Sequence, residues 1–190
     1  VYGLANANGD VTTRRYAERT GTDSAADPAW SGEFNSFALS PDGQRAAVGV
    51  STQGAGLDIW IKQLPRGPFT RLTFSGHDRR PAWSPDGREI AFVRDSGSGG
   101  DVYARAADGG GRERRLVHLD RAIQEVTWSH DGLWLLVRTD NSLAGNGDIL
   151  AVRARGDSTP VAVAATKFTE LQPLLSPDGR WLAYVSNDDG

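Results

Sequence analysis

Cysteine is absent from the 190 residues, which excludes disulfide bonds, thiolate metal sites and a cysteine nucleophile. Long apolar runs are also missing, since no stretch approaches the roughly 18 consecutive apolar residues of a membrane-spanning helix. The first residues lack the charged start and apolar middle of a signal peptide. The sequence therefore predicts no direct membrane insertion and carries no targeting signal of its own.

Positive charge is too scattered for a nucleic-acid surface. Lys and Arg number 21 against 24 Asp and Glu, which gives a formal net charge of −3. Proteins that bind phosphate backbones usually concentrate basic residues on one face. We therefore expect no nucleic-acid partner.

Catalytic motifs are missing as well. The nucleophile elbow Gly-x-Ser-x-Gly does not occur, because Gly49-Val50-Ser51-Thr52-Gln53 lacks the second glycine. The three histidines, His77, His118 and His130, do not have the convergent spacing of a zinc site. The sequence thus predicts a chain that is not itself an enzyme, with no catalytic residue, no metal ligand and no cofactor.

Glycine and proline, by contrast, are abundant, with 23 and 9 residues, and many of them belong to a repeat. Ser-Pro-Asp-Gly begins at Ser40, Ser84 and Ser176, and the variant Ser-His-Asp-Gly begins at Ser129. The four serines lie 44, 45 and 47 residues apart. In this motif Pro presets the backbone for a turn, Asp bonds the backbone nearby, and Gly accepts a positive φ. Each copy therefore predicts a tight turn, including the one that has His130 in place of Pro.

A second anchor keeps the same register. Asp58-Ile59-Trp60, Asp101-Val102-Tyr103 and Asp148-Ile149-Leu150 follow their serines by 18, 17 and 19 residues. Gly9-Asp10-Val11 fits the same series ahead of Ser40. Two anchors that stay in step across the chain indicate true structural repeats.

Each repeat holds four short segments of strand character separated by turn residues. Four antiparallel strands in every unit of about 45 residues are typical of a β-propeller, in which each blade is one small sheet. We therefore predict an all-β chain of about four propeller blades. The predicted divisions are a partial blade over 1–29, whole blades over 30–74, 75–119 and 120–166, and a partial blade over 167–190.

The motif Arg71-Leu72-Thr73, followed by Pro81 to Gly87 and Ile90-Ala91-Phe92, resembles the TolB-type repeat, also called the WD40-like PD40 repeat. More narrowly, residues 181–187 and 17–21 resemble propeller domains attached to bacterial membrane-bound serine/threonine kinases. This resemblance implies a bacterial interaction or sensor domain outside the cytoplasm, in the periplasm or at the cell surface.

The positions of the repeats do not decide whether the blades close into a ring. The segments at Tyr2 and Tyr184 match the same strand four periods apart, while TolB-type repeats usually build rings of more blades. The chain is then a fragment of a larger ring, completed by further blades or by another copy. The alternative is closure as four blades, with the last strands completing the first blade.

Candidate binding residues lie where loops enter the first strand of each blade, because such loops surround the mouth of a propeller channel. The candidate set is Glu33, Asn35, His77, Arg79, Arg80, Gln124, Glu125, Glu170 and Gln172. Its mixed charge favours a protein or peptide partner, another copy of the chain included. The predicted function is non-catalytic binding, as a scaffold or an extracytoplasmic sensor. The alternative is the propeller half of a larger enzyme, a prolyl-oligopeptidase-type peptidase or a receptor-like kinase, whose catalytic domain is not in this chain.

Two other repeated positions have structural interpretations. The aspartates of the four turns are predicted to be structural, because catalysis needs unlike groups that converge on one point. The residue before each turn serine is bulky, namely Leu39, Trp83, Trp128 and Leu175, and is predicted to pack between neighbouring blades.

Overall fold

The computed structural model describes residues 12–13, 15–17, 23–25, 31–97, 99–140 and 147–188. These residues form strands and turns and contain no helix, which confirms the predicted all-β class. The Gly9-Asp10-Val11 anchor and Tyr2 lie outside the described residues. The chain divides into two units, Val1–Pro81 and Ala82–Gly190, and each is described by itself.

The first unit contains a five-stranded antiparallel sheet. Its strands are β1 (Thr12–Thr13), β4 (Ser31–Leu39), β5 (Arg45–Thr52), β6 (Gly56–Gln63) and β7 (Phe69–Arg71), in the order β1-β4-β5-β6-β7. Strands β2 (Arg15–Ala17) and β3 (Asp23–Ala25) form a separate pair. The predicted blade of four consecutive strands is therefore present as β4 to β7, and β1 adds a short strand beside β4.

The remaining strands form two four-stranded sheets and one pair. The first sheet has the order β11-β10-β9-β8, with β8 (Asp78–Trp83), β9 (Glu89–Asp95), β10 (Gly100–Ala106) and β11 (Arg114–Leu119). The second contains β12 (Ala122–Trp128), β13 (Trp134–Asp140), β14 (Ile149–Arg153) and β15 (Val161–Ala164) in chain order. The pair consists of β16 (Glu170–Leu175) and β17 (Leu182–Ser186).

The Ser-Pro-Asp-Gly turn closes the hairpin between the first two strands of each blade. In the copy at Ser84, the Ser84 hydroxyl accepts the Glu89 N–H at 2.9 Å and donates to Asp86 Oδ1 at 2.6 Å. Gly87 has a φ of 67° and donates its N–H to the Ser84 carbonyl. The same bonds recur at Ser40, Ser129 and Ser176. The predicted turn is confirmed in all four copies, including the one with His130.

The second anchor, the aspartate of the third strand, makes different bonds in each blade. Asp58 is buried and accepts hydrogen bonds from the Thr73 hydroxyl at 3.0 Å and from the Arg71 guanidinium. Asp101 is also buried and lies 2.9 Å from His118 Nδ1. Arg71 and His118 lie on the fourth strands of their blades, so Asp58 and Asp101 join the third strand to the fourth. Asp148 instead accepts a hydrogen bond from Arg121, which precedes β12.

Neighbouring blades of the second unit share one hydrophobic core. Ile90 to Val93 on β9 are fully buried, because sheets that are covered on both faces need apolar residues on both. Trp128 packs in the same core at 8% exposure, and its indole Nε1 donates to the Ala82 carbonyl at 3.2 Å. The predicted packing between blades is confirmed there. It is wrong for Leu39, whose side chain is 43% exposed.

Candidate functional site

The first strand of three blades is interrupted by a β-bulge at the candidate binding residues. Between Phe34 and Ser36 the pairing of β4 with β5 shifts register and leaves Asn35 without a partner in the ladder. The pairing of β12 with β13 shifts in the same way at Gln124. On β16 the shift falls between Leu171 and Leu174 and therefore includes Gln172. Bulges bend a strand and change the direction of its side chains, often beside functional sites.

Two candidate residues also have an unusual backbone. Arg80 and Gln172 have φ angles of 54° and 53°, and they are the two non-glycine residues with positive φ in the described part of the chain. Each lies four residues before its turn serine, so the same strained conformation recurs at one position of two blades. A non-glycine residue in this region costs roughly 1–2 kcal/mol.

A hydrogen bond to the preceding blade holds the Arg80 backbone. The Arg80 N–H donates to Ser36 Oγ at 3.1 Å, and Ser36 occupies the equivalent position in its own blade. Opposite Ser36 on β5 lies Gly49. A Cβ added at Gly49 would lie 2.8 Å from Ser36 Oγ, so the glycine makes room for the hydroxyl that binds Arg80.

Exposure separates the candidate residues into three groups. Five side chains are exposed to solvent, namely Glu33, Asn35, His77, Arg80 and Gln172. Arg79, Gln124 and Glu125 are half-buried, and Glu125 Oε2 lies 3.3 Å from Arg138 Nε in an ion pair. Sequence reasoning missed Arg138, because it lies on the next strand at a position that only the register identifies.

Glu170 belongs to neither of these groups because it is 1% exposed. The Thr166 hydroxyl donates to Glu170 Oε1 at 2.5 Å, while Oε2 is buried with no hydrogen-bond partner among the described residues. Asp78 occupies the same position in its blade, six residues before the turn serine, and is also buried. The acidic residue that begins these two strands therefore points into the protein.

The turn aspartates are held as hydrogen-bond acceptors. The hydroxyl of Ser84 donates to Asp86, and this bond, followed by the Arg88 N–H, holds the pKa of Asp86 below its ordinary value. The pKa values of Asp42, Asp131 and Asp178 are lowered in the same way, first by the hydroxyls of Ser40, Ser129 and Ser176. Each carboxylate thus fixes its own turn, as predicted for a structural residue.

The described residues contain no group of three His, Asp or Glu side chains placed to hold a metal ion. Nor does any helix among them have the length and apolarity to cross a membrane. His77, which directly precedes β8, has an exposed side chain, and its backbone N–H donates to Ser75 Oγ at 3.1 Å. The strand entrances, meaning the positions where loops enter the first strand of each blade, therefore contain polar side chains and bulged backbone.

Repeated antiparallel sheets, each closed by the same turn and anchored by the same aspartate, define the chain as a β-propeller protein. It belongs to the TolB β-propeller (PD40) family, whose family model matches residues 14–190.

Among curated relatives, the chain is similar to the uncharacterized peptidase YuxL of Bacillus subtilis, with 27% identity over 77% of this chain and 28% of that protein. It is also 30% identical to a TolB homolog of Chlorobium luteolum, over 76% of this chain and 33% of that protein. The chain therefore spans about a quarter to a third of the length of these two relatives.

Two solved structures show the same fold. TolB from Acinetobacter baumannii matches with a TM-score of 0.74 and 22% identity, over 94% of this chain and 44% of that chain. A structure from an analysis of two prolyl endopeptidases matches with a TM-score of 0.62 and 14% identity, over 87% of this chain and 28% of that chain. The fold thus occurs both in TolB and in enzymes of longer chain.

Proposed function

We propose that the chain is a non-catalytic binding module that holds a protein or peptide at the entrances to its first strands. The observation that carries this proposal is the recurrence of bulged or strained backbone at the candidate residues of each blade. Strained residues persist where the surrounding structure holds them, and they cluster at binding sites. By family resemblance, the module acts as a scaffold or sensor outside the cytoplasm.

The chemistry of the exposed residues supports a peptide or protein partner. Glu33 is acidic, Arg80 is basic, and Asn35 and Gln172 are neutral amides that both donate and accept hydrogen bonds. A bulge also leaves ladder N–H and C=O groups unpaired, and these can bond a partner's backbone. A polyanion would need one sign of charge, whereas this mixture suits the mixed polar rim of a protein interface.

The test is affinity capture of partners from a bacterial extract with the unmodified chain, a site variant and a control variant. The site variant carries Arg80→Glu and Gln172→Glu, which change two exposed side chains. The matched control carries Arg180→Glu, a reversal of an exposed arginine beside a turn at the other end of β16. We expect at least one partner to be lost by the site variant and retained by the control. Identical partners for all three forms would refute the proposed site.

A second candidate function is the propeller part of a larger peptidase, and the similarity to the peptidase YuxL favours it. In that case the strand entrances would select peptides that reach a catalytic domain elsewhere in the same polypeptide. Reading the coding sequence on either side of this chain tests the idea directly. A neighbouring hydrolase domain with a nucleophile elbow would support it, whereas a kinase domain and membrane span would favour a receptor-type sensor.

A further inference from the structure

The backbone of Arg80 is held in an unusual conformation at the entrance to β8. Its φ is 54°, and its N–H donates at 3.1 Å to Ser36 Oγ on β4, a strand of a different sheet. Opposite Ser36, Gly49 leaves space for that hydroxyl, because a Cβ there would lie 2.8 Å from Ser36 Oγ. The backbone that carries the Arg80 side chain is thereby restrained, which lowers the entropy lost when this residue binds a ligand.

The Arg80 guanidinium is available to a ligand. The side chain is exposed, and its guanidinium forms no hydrogen bond or ion pair with the described residues. Arginines of the fourth strands differ, because Arg71 pairs with Asp58 and Arg114 pairs with Glu89. A guanidinium has five N–H donors, no acceptor, and a planar shape that matches a carboxylate through two parallel hydrogen bonds. Arg80 therefore suits an anionic group of a partner.

The segment that enters β8 exposes no negative charge around Arg80. Among residues 74–81 the single acid is Asp78, which is buried, and the exposed side chains are Phe74, His77 and Arg80. On the neighbouring strand β4, the exposed Glu33 lies three residues before Ser36. That separation is roughly 10 Å along an extended strand, which is about the Debye length in 0.1 M salt. Salt therefore screens much of the repulsion between Glu33 and an anion at Arg80.

The equivalent position of the other blades has a different chemistry. Four residues before their turn serines stand Ser36, Glu125 and Gln172. Glu125 is acidic and forms an ion pair with Arg138 at 3.3 Å, whereas Ser36 and Gln172 are neutral. Arg80 is thus the cation at this position of the repeat, and recognition of an anion belongs to its blade.

We propose that Arg80 binds a carboxylate of the peptide or protein partner, and that Ser36 positions Arg80 for this contact. The proposal rests on the proposed function and names the partner's chemistry at one strand entrance. The carboxylate comes from an Asp or Glu side chain of the partner or from its C-terminus. Either source accepts two N–H hydrogen bonds from the guanidinium, so the experiment has to distinguish them.

Selection from two random peptide libraries tests the proposal on the full chain. One library presents peptides whose C-terminus is fused to the display protein, and the other presents peptides with a free C-terminus. Enrichment of Asp or Glu at one position of the peptides selected from the first library would identify an acidic side chain as the source. Selection of peptides from the second library alone would identify the C-terminal carboxylate.

A selected peptide is then compared with its neutral counterpart, in which Asn or Gln replaces the acid or an amide caps the C-terminus. The unmodified chain should bind the acidic peptide at least about fivefold more tightly, which is the effect of one ion pair at 4 Å in water. Arg80→Gln should remove this preference, and Gln172, with a φ of 53° at the equivalent position, shows that glutamine adopts this backbone conformation. The matched control Arg66→Gln changes an exposed arginine between β6 and β7, at the opposite end of the blade, and should keep the preference.

Ser36→Ala tests the positioning role separately. It removes the acceptor of the Arg80 N–H and leaves the guanidinium in the chain. Loss of positioning should lower the ratio of the two affinities, whereas a general structural effect would weaken both peptides by the same factor.

Three results would overturn the proposal: equal affinity of the unmodified chain for the acidic and the neutral peptide, an unchanged preference in Arg80→Gln, or an unchanged ratio in Ser36→Ala. Peptides that bind without any preference for a carboxylate would contradict this proposal and still support the proposed function. If neither library yields a binding peptide, both are contradicted.

Discussion

The four equivalent turns allow one substitution to be compared in different surroundings of the same fold. Ser84 and Ser176 belong to the same unit and make the same bonds within their turns. Ser84 is 5% exposed, whereas Ser176 is half-buried and its turn bonds are open to solvent. We predict that Ser84→Ala destabilises the protein clearly more than Ser176→Ala does.

The expected size follows from the bonds that alanine removes. The Glu89 N–H loses its acceptor, the Ser84 hydroxyl at 2.9 Å, while the exposed Asp86 regains water. A lost hydrogen bond costs roughly 0.5–1.5 kcal/mol, and a buried group left unsatisfied costs roughly 1–3 kcal/mol. We therefore expect Ser84→Ala to lower the free energy of unfolding by about 2 kcal/mol. Ser176→Ala should cost less than about 1 kcal/mol, because water replaces the lost acceptor.

Urea unfolding followed by tryptophan fluorescence and circular dichroism measures both variants. Hydrogen exchange at the Glu89 amide provides a local reading and should accelerate in Ser84→Ala. The pKa of Asp86 should rise toward its ordinary value, since the Ser84 hydroxyl is the main cause of its lowering. Equal destabilisation by the two variants would show that burial does not decide the cost, and the reasoning would then be wrong.

Three further predictions concern the stability of the same unit. Trp128→Ala should lower the free energy of unfolding, measured with urea, by about 3–5 kcal/mol, because it leaves a cavity at a buried site. Leu175→Ala, at the half-buried equivalent position, should lower it clearly less. Gly100→Ala should cost about 2 kcal/mol, because the new Cβ would lie 2.6 Å from the Ile123 nitrogen; Gly110→Ala, in an exposed turn, should stay within about 0.5 kcal/mol. Because the turn aspartates have lowered pKa values in the folded state, their contribution is present above about pH 4 and is lost as pH falls through the folded pKa. The free energy of unfolding should therefore fall as the pH is lowered through these pKa values, and Asp86→Asn should reduce that fall.

The sequence was sufficient to predict the repeats, because the turn needs particular residues at fixed positions. Gly87 must accept a positive φ, and Ser84 and Asp86 must supply acceptors to the same hairpin. Such local requirements are visible in a single chain when they recur. The second anchor was visible for the same reason, although its partners, Thr73 in one blade and His118 in another, became clear only from the packing of strands.

The candidate site was less predictable because its distinguishing features are not local. Nothing in the identity of Arg80 or Gln172 indicates a positive φ. Gln172 lies in the register shift of β16, and the Arg80 N–H bonds Ser36 in another blade. Glu170 carries the same charge as Glu33, yet one is buried and the other exposed. Glu170 lies six residues before its turn serine and Glu33 seven before its own, so they occupy different positions of the repeat. Which of these two positions is buried became clear only from the packing of the strands.

A repeat fold separates the residues that build it from those that distinguish one blade from another. Ser, Asp and Gly of the turn are the same in all four copies, and they make the same bonds. The position four residues before the turn serine changes from Ser36 to Arg80, Glu125 and Gln172. Because the fold does not require one residue type at this position, we expect specificity for ligands to reside there.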